Sequence, residues 1–369
     1  MNSRPGLRLA LVGPPSDRPC GIADYVKRLA PHLESLTDTW VGDYGQARRK
    51  AGESDSDRQV FLVHYERTRV PFSGYLRALS RALTGGGRGR LFVVPHEVYR
   101  EDPFAYPESS LIRTGLAGIA QHLRYRWKHR PWYRELRCQK NGYWADAVFP
   151  LSRPACEVLR ERSPASRFEV IPHAVLDGFE QAAAKSTLRP VGASWLWGLF
   201  GFITPANDYE LVFQALASCP HQALVVIGGD RTEDRAPGLI SLRRRVEEMG
   251  LEGRVSFTGY LAEDGVAPVL MAMDGFLCPF KFRSASGSLS MVLAAGKPVL
   301  AADLPLTREY RDAGARVKLL PAGSVQAWSE AMIVEESRPQ DMSLASYAWS
   351  YAHAAEAYLA QIRKYRDNY

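Results

Sequence analysis

The sequence predicts an α/β protein built from two Rossmann-like, doubly wound domains in series, and three observations carry that expectation. Short apolar runs alternate with amphipathic helical stretches, the pattern of parallel strands joined by crossover helices. The alternation breaks at DGFEQAAAKSTLRPV, residues 177–191, and then resumes. The 369 residues are enough to bury a core in each half.

In order, a strand at 7–12 ends in Gly13-Pro14-Pro15 and is followed by a helix at 22–36. Strands follow at 60–64, 91–95, 147–151 and 168–171, with helices at 75–82, 111–127 and 154–162. These elements make an N-terminal domain of residues 1–176. After the 177–191 linker, strands at 195–202, 223–227, 255–257 and 275–278 alternate with helices at 209–217, 240–249 and 265–273. A loop and helix come next, then strands at 298–301 and 317–320, closing a second domain of residues 192–342. Residues 343–369 carry a long helix with Tyr347, Trp349, Tyr351, Ala354 and Tyr358 at helical spacing.

Composition narrows the classes. Cys20, Cys138, Cys156, Cys219 and Cys278 are scattered without a CxxC pair, which points away from a zinc site or disulfide framework and toward a reducing cytoplasm. The first apolar run is too short for a signal-peptide core, and no apolar segment is long enough to span a bilayer. The formal charge of +7 is concentrated between His122 and Lys140. There Arg124, Arg126, Lys128, Arg130, Arg134, Arg137 and Lys140 face the single acid Glu135, interleaved with Tyr125, Trp127, Trp132 and Tyr133. An anionic membrane surface, reached peripherally from the cytoplasmic side, suits this mixture, as does an anionic lipid-linked acceptor. A plain solvated face is the alternative, and no nucleic-acid module surrounds the patch. Pro131 is expected to break any single long helix through it.

The chemistry concentrates between Cys278 and Ala301. Ser284, Ser286, Gly287 and Ser288 fall at a helix start, where unpaired backbone N–H groups and the helix dipole favour an anion. Lys281 and Arg283 add positive charge just upstream. Alternatively, Ser286 or Ser288 only caps the helix and the bases are solvated. Open parallel sheets bind ligands beyond the carboxyl ends of their strands, and two in series make the cleft between them the default site. The loop after Cys278, the turn 13–21 and His96-Glu97 all lie at such ends.

Several segments together resemble the GT-B glycosyltransferases, specifically retaining family 4. Gly21-Ile22-Ala23-Asp24-Tyr25 resembles the family's glycine turn, and Trp144 through Ser152 its "ADAVFVLS" strand. Val170-Ile171-Pro172-His173-Ala174-Val175 is similar to "VIPHGV", and Phe200-Gly201-Phe202-Ile203-Thr204-Pro205 to the opening of the second domain. Arg254 through Tyr260 resembles "RVxFTGY", Ala294 through Val299 resembles "AxGxPV", and the aromatic last helix resembles the one that crosses back to the N-terminal domain. Two features depart from the family. Counting back from Gly296 without a gap, its paired glutamates fall on Arg283 and Met291, and where it places Arg and Lys in the loop opening the second domain this chain has Phe202 and Asn207.

The resemblance implies retaining transfer of a sugar from a nucleotide-diphosphate donor to a hydroxyl acceptor, with no metal and no further cofactor. Gly21, Lys281, Arg283, Ser286, Gly287 and Ser288 would then hold the donor phosphates, with Tyr260 and Ser284 near the sugar or base. His96, at the carboxyl end of a strand, would act on the acceptor or the sugar hydroxyls, while His64 and Glu97 shape the acceptor side. Alternatively, His96 pairs with Glu97 as a general base or is structural. His173, at the domain junction, reads as structural, and Glu309 follows Leu304-Pro305-Leu306 on a loop. Lys281 and Arg283 either replace the missing bases in an active enzyme, or the chain is an inactive partner. A nucleotide-sugar epimerase would need cleft carboxylates, for which the sequence offers Glu66 and Glu97.

Overall fold

The computed structural model describes residues 7–17, 20–52, 59–67, 69–85, 89–100, 130–175, 188–230, 237–337 and 349–367. The chain forms two compact units, one of Met1–Pro172 with Ala352–Tyr369 and one of His173–Tyr351.

The first unit is a five-stranded parallel sheet in the order β2-β1-β3-β4-β5. Its strands are β1 (Arg8–Gly13), β2 (Asp38–Asp43), β3 (Gln59–Tyr65), β4 (Arg90–Pro95) and β5 (Ala147–Val148). All seven residues of β3, QVFLVHY, are buried, as a central strand covered on both faces requires. Helices α1 (Gly21–Glu34), α2 (Tyr44–Lys50), α3 (Tyr75–Gly85), α4 (Arg130–Lys140) and α5 (Arg153–Arg162) belong to this unit. Ser152 caps α5 by accepting from the Ala155 amide. The last helix, α12 (Tyr351–Asp367), joins it beyond Tyr351. Tyr358 of that helix is fully buried against Phe149, and Lys364 pairs with Glu169 at 2.7 Å.

The second unit is a six-stranded parallel sheet in the order β11-β10-β9-β6-β7-β8. Its strands are β6 (Trp195–Phe200), β7 (Gln222–Ile227), β8 (Val255–Gly259), β9 (Gly275–Cys278), β10 (Val299–Ala302) and β11 (Val317–Leu320). They alternate with α6 (Tyr209–Ala217), α7 (Pro237–Glu248), α8 (Glu263–Met271), α9 (Gly287–Ala294), α10 (Pro305–Asp312) and α11 (Val325–Glu336). Apolar clusters cover both faces of this sheet. Each unit is thus a parallel sheet with interleaved helices, as expected from the sequence.

Several expectations need correcting. The strand expected at 168–171 is a single bridge from Val148 to Phe168, because β5 has only two residues to pair with. Helix α4 starts at Arg130, so Pro131 falls in its first turn, where its missing N–H costs nothing, and the residues before Arg130 lie outside the described ones. Glu309 lies within α10 rather than on a loop. Strand β2 and helix α2 escaped the reading because β2 is an edge strand with broken, half-exposed polarity. The helix expected at 111–127 lies outside the described residues, as does most of the expected linker.

Candidate functional site

In each sheet the first strand has its successors on both sides, so the order of strand addition reverses between β1 and β3 and between β6 and β9 while all strands stay parallel. Crevices at the carboxyl ends of such strand pairs are where open α/β sheets hold ligands.

In the second unit this point joins the loop after β6 to the loop after β9. Asn207 bridges Phe280 in antiparallel fashion, the Lys281 amide donates to the Ala206 carbonyl at 2.8 Å, and the Asp208 amide to the Pro279 carbonyl at 2.7 Å. This short ribbon fixes where the basic side chains go. Arg283 donates from Nη2 to the Asn207 side-chain oxygen at 3.3 Å and lies over the Phe280 ring, 4.8 Å from its centroid. Burial pushes the Cys278 thiol up to about 12, with the Arg283 charge opposing. Lys281, half-exposed, faces Asp208 at 3.7 Å.

Helix α9 begins beside that ribbon. Ser286 caps it: its hydroxyl accepts from the Leu289 amide at 3.1 Å and lies 3.1 Å from the Ser288 hydroxyl. The capping reading of Ser286 and the anion reading of the helix start are therefore compatible, since the cap engages the Leu289 amide rather than the first-turn amides of Gly287 and Ser288. Ser284 is buried.

Glycines let other strand ends approach the helix start. Gly201 and Gly228 have φ of 131° and 133°. A Cβ on Gly201 would lie 3.2 Å from Ser288, and one on Gly228 only 2.2 Å from the Gly201 carbonyl oxygen. A Cβ on Gly287 would lie 3.1 Å from the His173 ring. His173, read from sequence as structural, thus packs beside the first residue of α9, while its Nδ1 lies 2.9 Å from the Ala174 carbonyl. Tyr260 is 45% exposed after β8 and stacks with Phe202, centroids 6.2 Å apart. Met291, at the second expected glutamate position, is buried in the core.

In the first unit His96 follows β4 and is nearly buried. Its Nε2 is 3.1 Å from Nδ1 of fully buried His64, so one nitrogen of that pair holds a proton and the other accepts. Tyr25 packs on both rings and Tyr358 on His64. Tyr44 locks the end of β3 from below, donating to the His64 carbonyl at 2.7 Å and accepting from the Glu66 amide at 2.8 Å. Glu97 turns away from His96 to Arg67, 3.0 Å distant, so the neighbouring His and Glu do not form a pair with each other. Gly21 is the first residue of α1, where a Cβ would meet nothing within 4 Å. The sequence showed each histidine but not that they touch.

Of the basic surface residues, Arg124, Arg126, Trp127 and Lys128 lie outside the described residues. Arg130 and Trp132 fall in α4, and Arg134 is exposed there. No helix among the described residues is long and apolar enough to cross a membrane, and no group of three metal-ligating side chains occurs among them.

The solved structures similar to this chain are GT-B proteins, and the fold is that class. Anabaena HepE in complex with UDP is 16% identical, covers 98% of both chains and superposes with a TM-score of 0.65. Sucrose-phosphate synthase from Thermosynechococcus elongatus is 14% identical, with 98% of both chains covered and a TM-score of 0.64. Residues 200–334, within the second unit, match the family model described as "Glycosyl transferases group 1". The mannosylfructose-phosphate synthase of Agrobacterium fabrum is 24% identical over 106 residues, a match spanning 27% of this chain and 23% of that protein.

Proposed function

We propose that this protein is a glycosyltransferase that moves a sugar from a nucleotide-diphosphate donor to a hydroxyl of a glycan or lipid-linked acceptor, with retention at the anomeric carbon. The observation that carries the reading is the ribbon between the β6 and β9 loops, which holds the Arg283 side chain against Asn207 and Phe280, a few residues ahead of the start of α9. The donor would lie with its diphosphate on the Gly287 and Ser288 amides and the Arg283 guanidinium, Lys281 adding charge from the rim. The loss of the family's bases at Phe202 and Asn207 is then compensated: Asn207 holds an arginine in place of being one.

Glycosyl transfer builds positive charge on the sugar and negative charge on the departing diphosphate. Preorganised N–H donors aimed at that diphosphate lower the barrier to its departure, because they need no reorientation as charge develops. This role requires no metal, and the basic groups and helix start are proposed to supply all of the counter-charge. A retained configuration follows if the acceptor hydroxyl attacks from the face the diphosphate leaves. The His64–His96 pair would bind hydroxyls of the acceptor or sugar, with His64 fixing the orientation of the His96 ring. UDP is the nucleotide bound in the HepE structure, and UDP-sugars are the first donors to try. The cytoplasm supplies such donors, and α4 with the residues before it would meet an anionic membrane surface there.

The test is donor turnover. Incubation with a panel of UDP- and GDP-sugars and glycan or lipid-linked acceptors should release nucleoside diphosphate and give an α-linked product from an α-linked donor. EDTA should leave the rate unchanged. An inverted product would reject retention, and a requirement for added divalent ion would reject the metal-free account. An inactive partner would release nothing with any donor.

A further inference from the structure

A cavity of about 530 Å³ opens in the first unit between the loop after β3, α3 and α4. Five arginines line it: Arg67, Arg77, Arg81, Arg134 and Arg137, and no Asp or Glu does. Four of these are exposed at the rim. Arg67 is different: its side chain is only 10% exposed, and although Nε faces Glu97 at 3.0 Å, its Nη1 is buried with no hydrogen-bond partner. A buried guanidinium N–H without an acceptor costs free energy that a bound anion would recover.

The remainder of the wall is apolar and aromatic, with Phe72, Tyr75, Leu76 and Trp144 among the lining residues. The buried acid Glu135 feels the Arg67 charge. It is not among the lining residues, accepts from Tyr143 and Gln139, and burial pushes its carboxyl up to about 7 although the Arg67 charge opposes. A solvated basic face needs neither an enclosed apolar wall nor a buried, half-paired arginine.

We infer that this cavity binds a phosphate or diphosphate monoester whose organic part is apolar. The anion sits on Arg67 and the rim arginines, which can each grip two phosphate oxygens, and the apolar part lies along the aromatic wall. The inference extends the acceptor half of the proposed function, because a lipid-linked acceptor carries both parts. It stands or falls by binding alone.

The experiment compares octyl phosphate, kept below its micellar concentration, with inorganic pyrophosphate, reading thermal stabilisation and calorimetric affinity on the full chain. The variant is R77A/R81A/R134A, whose replaced side chains are exposed and leave the core intact. Octyl phosphate should stabilise the protein, bind at least about tenfold more tightly than pyrophosphate at this site, and weaken about tenfold between low and high salt. The triple variant should lose at least tenfold in affinity for it while its response to UDP is unchanged. Absence of binding by octyl phosphate, or binding that survives the triple substitution, overturns the proposal. Equal affinity for pyrophosphate overturns the apolar half and leaves a site for free phosphate. A UDP response that fails while octyl phosphate binds rejects the donor reading alone.

Discussion

Arg283 stands where the family 4 resemblance would put a glutamate, and its hydrogen bond to Asn207 crosses between the two loops of the second unit. If Arg283 holds the donor phosphate as proposed, replacing it with Ala removes a charge-assisted contact worth about 1.5–3 kcal/mol, and UDP affinity should fall roughly 10- to 100-fold with little change in stability. Isothermal titration checks this. A second residue makes a prediction about pH. Glu135 has its pKa raised from 4.5 to about 7, burial being the main cause. The folded chain therefore keeps that proton where the unfolded chain has lost it, and stability falls as pH rises from 4.5 to about 7, by up to about 1.4 kcal/mol per pH unit. E135Q keeps an acceptor for Tyr143 and should flatten that slope, measured by denaturant unfolding across the range. An unchanged slope would assign the pH dependence to other groups.

At the scale of elements, the approach of β6 and β7 to α9 depends on glycine. G228A would force a Cβ into the Gly201 carbonyl at a φ that L residues avoid, and should lower the stability of the second unit by at least about 2 kcal/mol. Thermal unfolding measures this. Most strands and helices were legible because a parallel sheet covered on both faces leaves continuous apolar runs, as in β3, β7 and β9. Strand β2 escaped because it is marginal in that signal at the sheet edge, whereas α10 and α11 escaped despite local boundary signals, Pro305 at the start of one and the Ser324 cap after Gly323 at the start of the other. The helix start at Ser286 was readable from its small residues and flanking bases. That His64 touches His96, that Glu97 turns to Arg67, and that His173 packs against Gly287 were not, because each is a contact made by register or loop closure. The ribbon joining Asn207 to Phe280 spans residues far apart in sequence and left no local trace.

For the whole molecule, the account divides the work between two units of the same architecture. Under the proposed function, the unit of residues 173–351 would hold the nucleotide diphosphate at the start of α9, and the unit of residues 1–172 with 352–369 would hold the acceptor near the His64–His96 pair. The central claim is the first of these, and thermal unfolding with and without UDP tests it most directly. At a concentration near a hundred times its dissociation constant, a ligand that binds only the folded state adds about 2.7 kcal/mol, which raises the transition of a domain of this size by about 5 °C or more. The wild-type protein should show that rise, and R283A, binding roughly 10- to 100-fold more weakly, should show about half of it or less, about 0.4–1.4 kcal/mol. A transition that UDP leaves unmoved, or moves equally in both proteins, would contradict the claim.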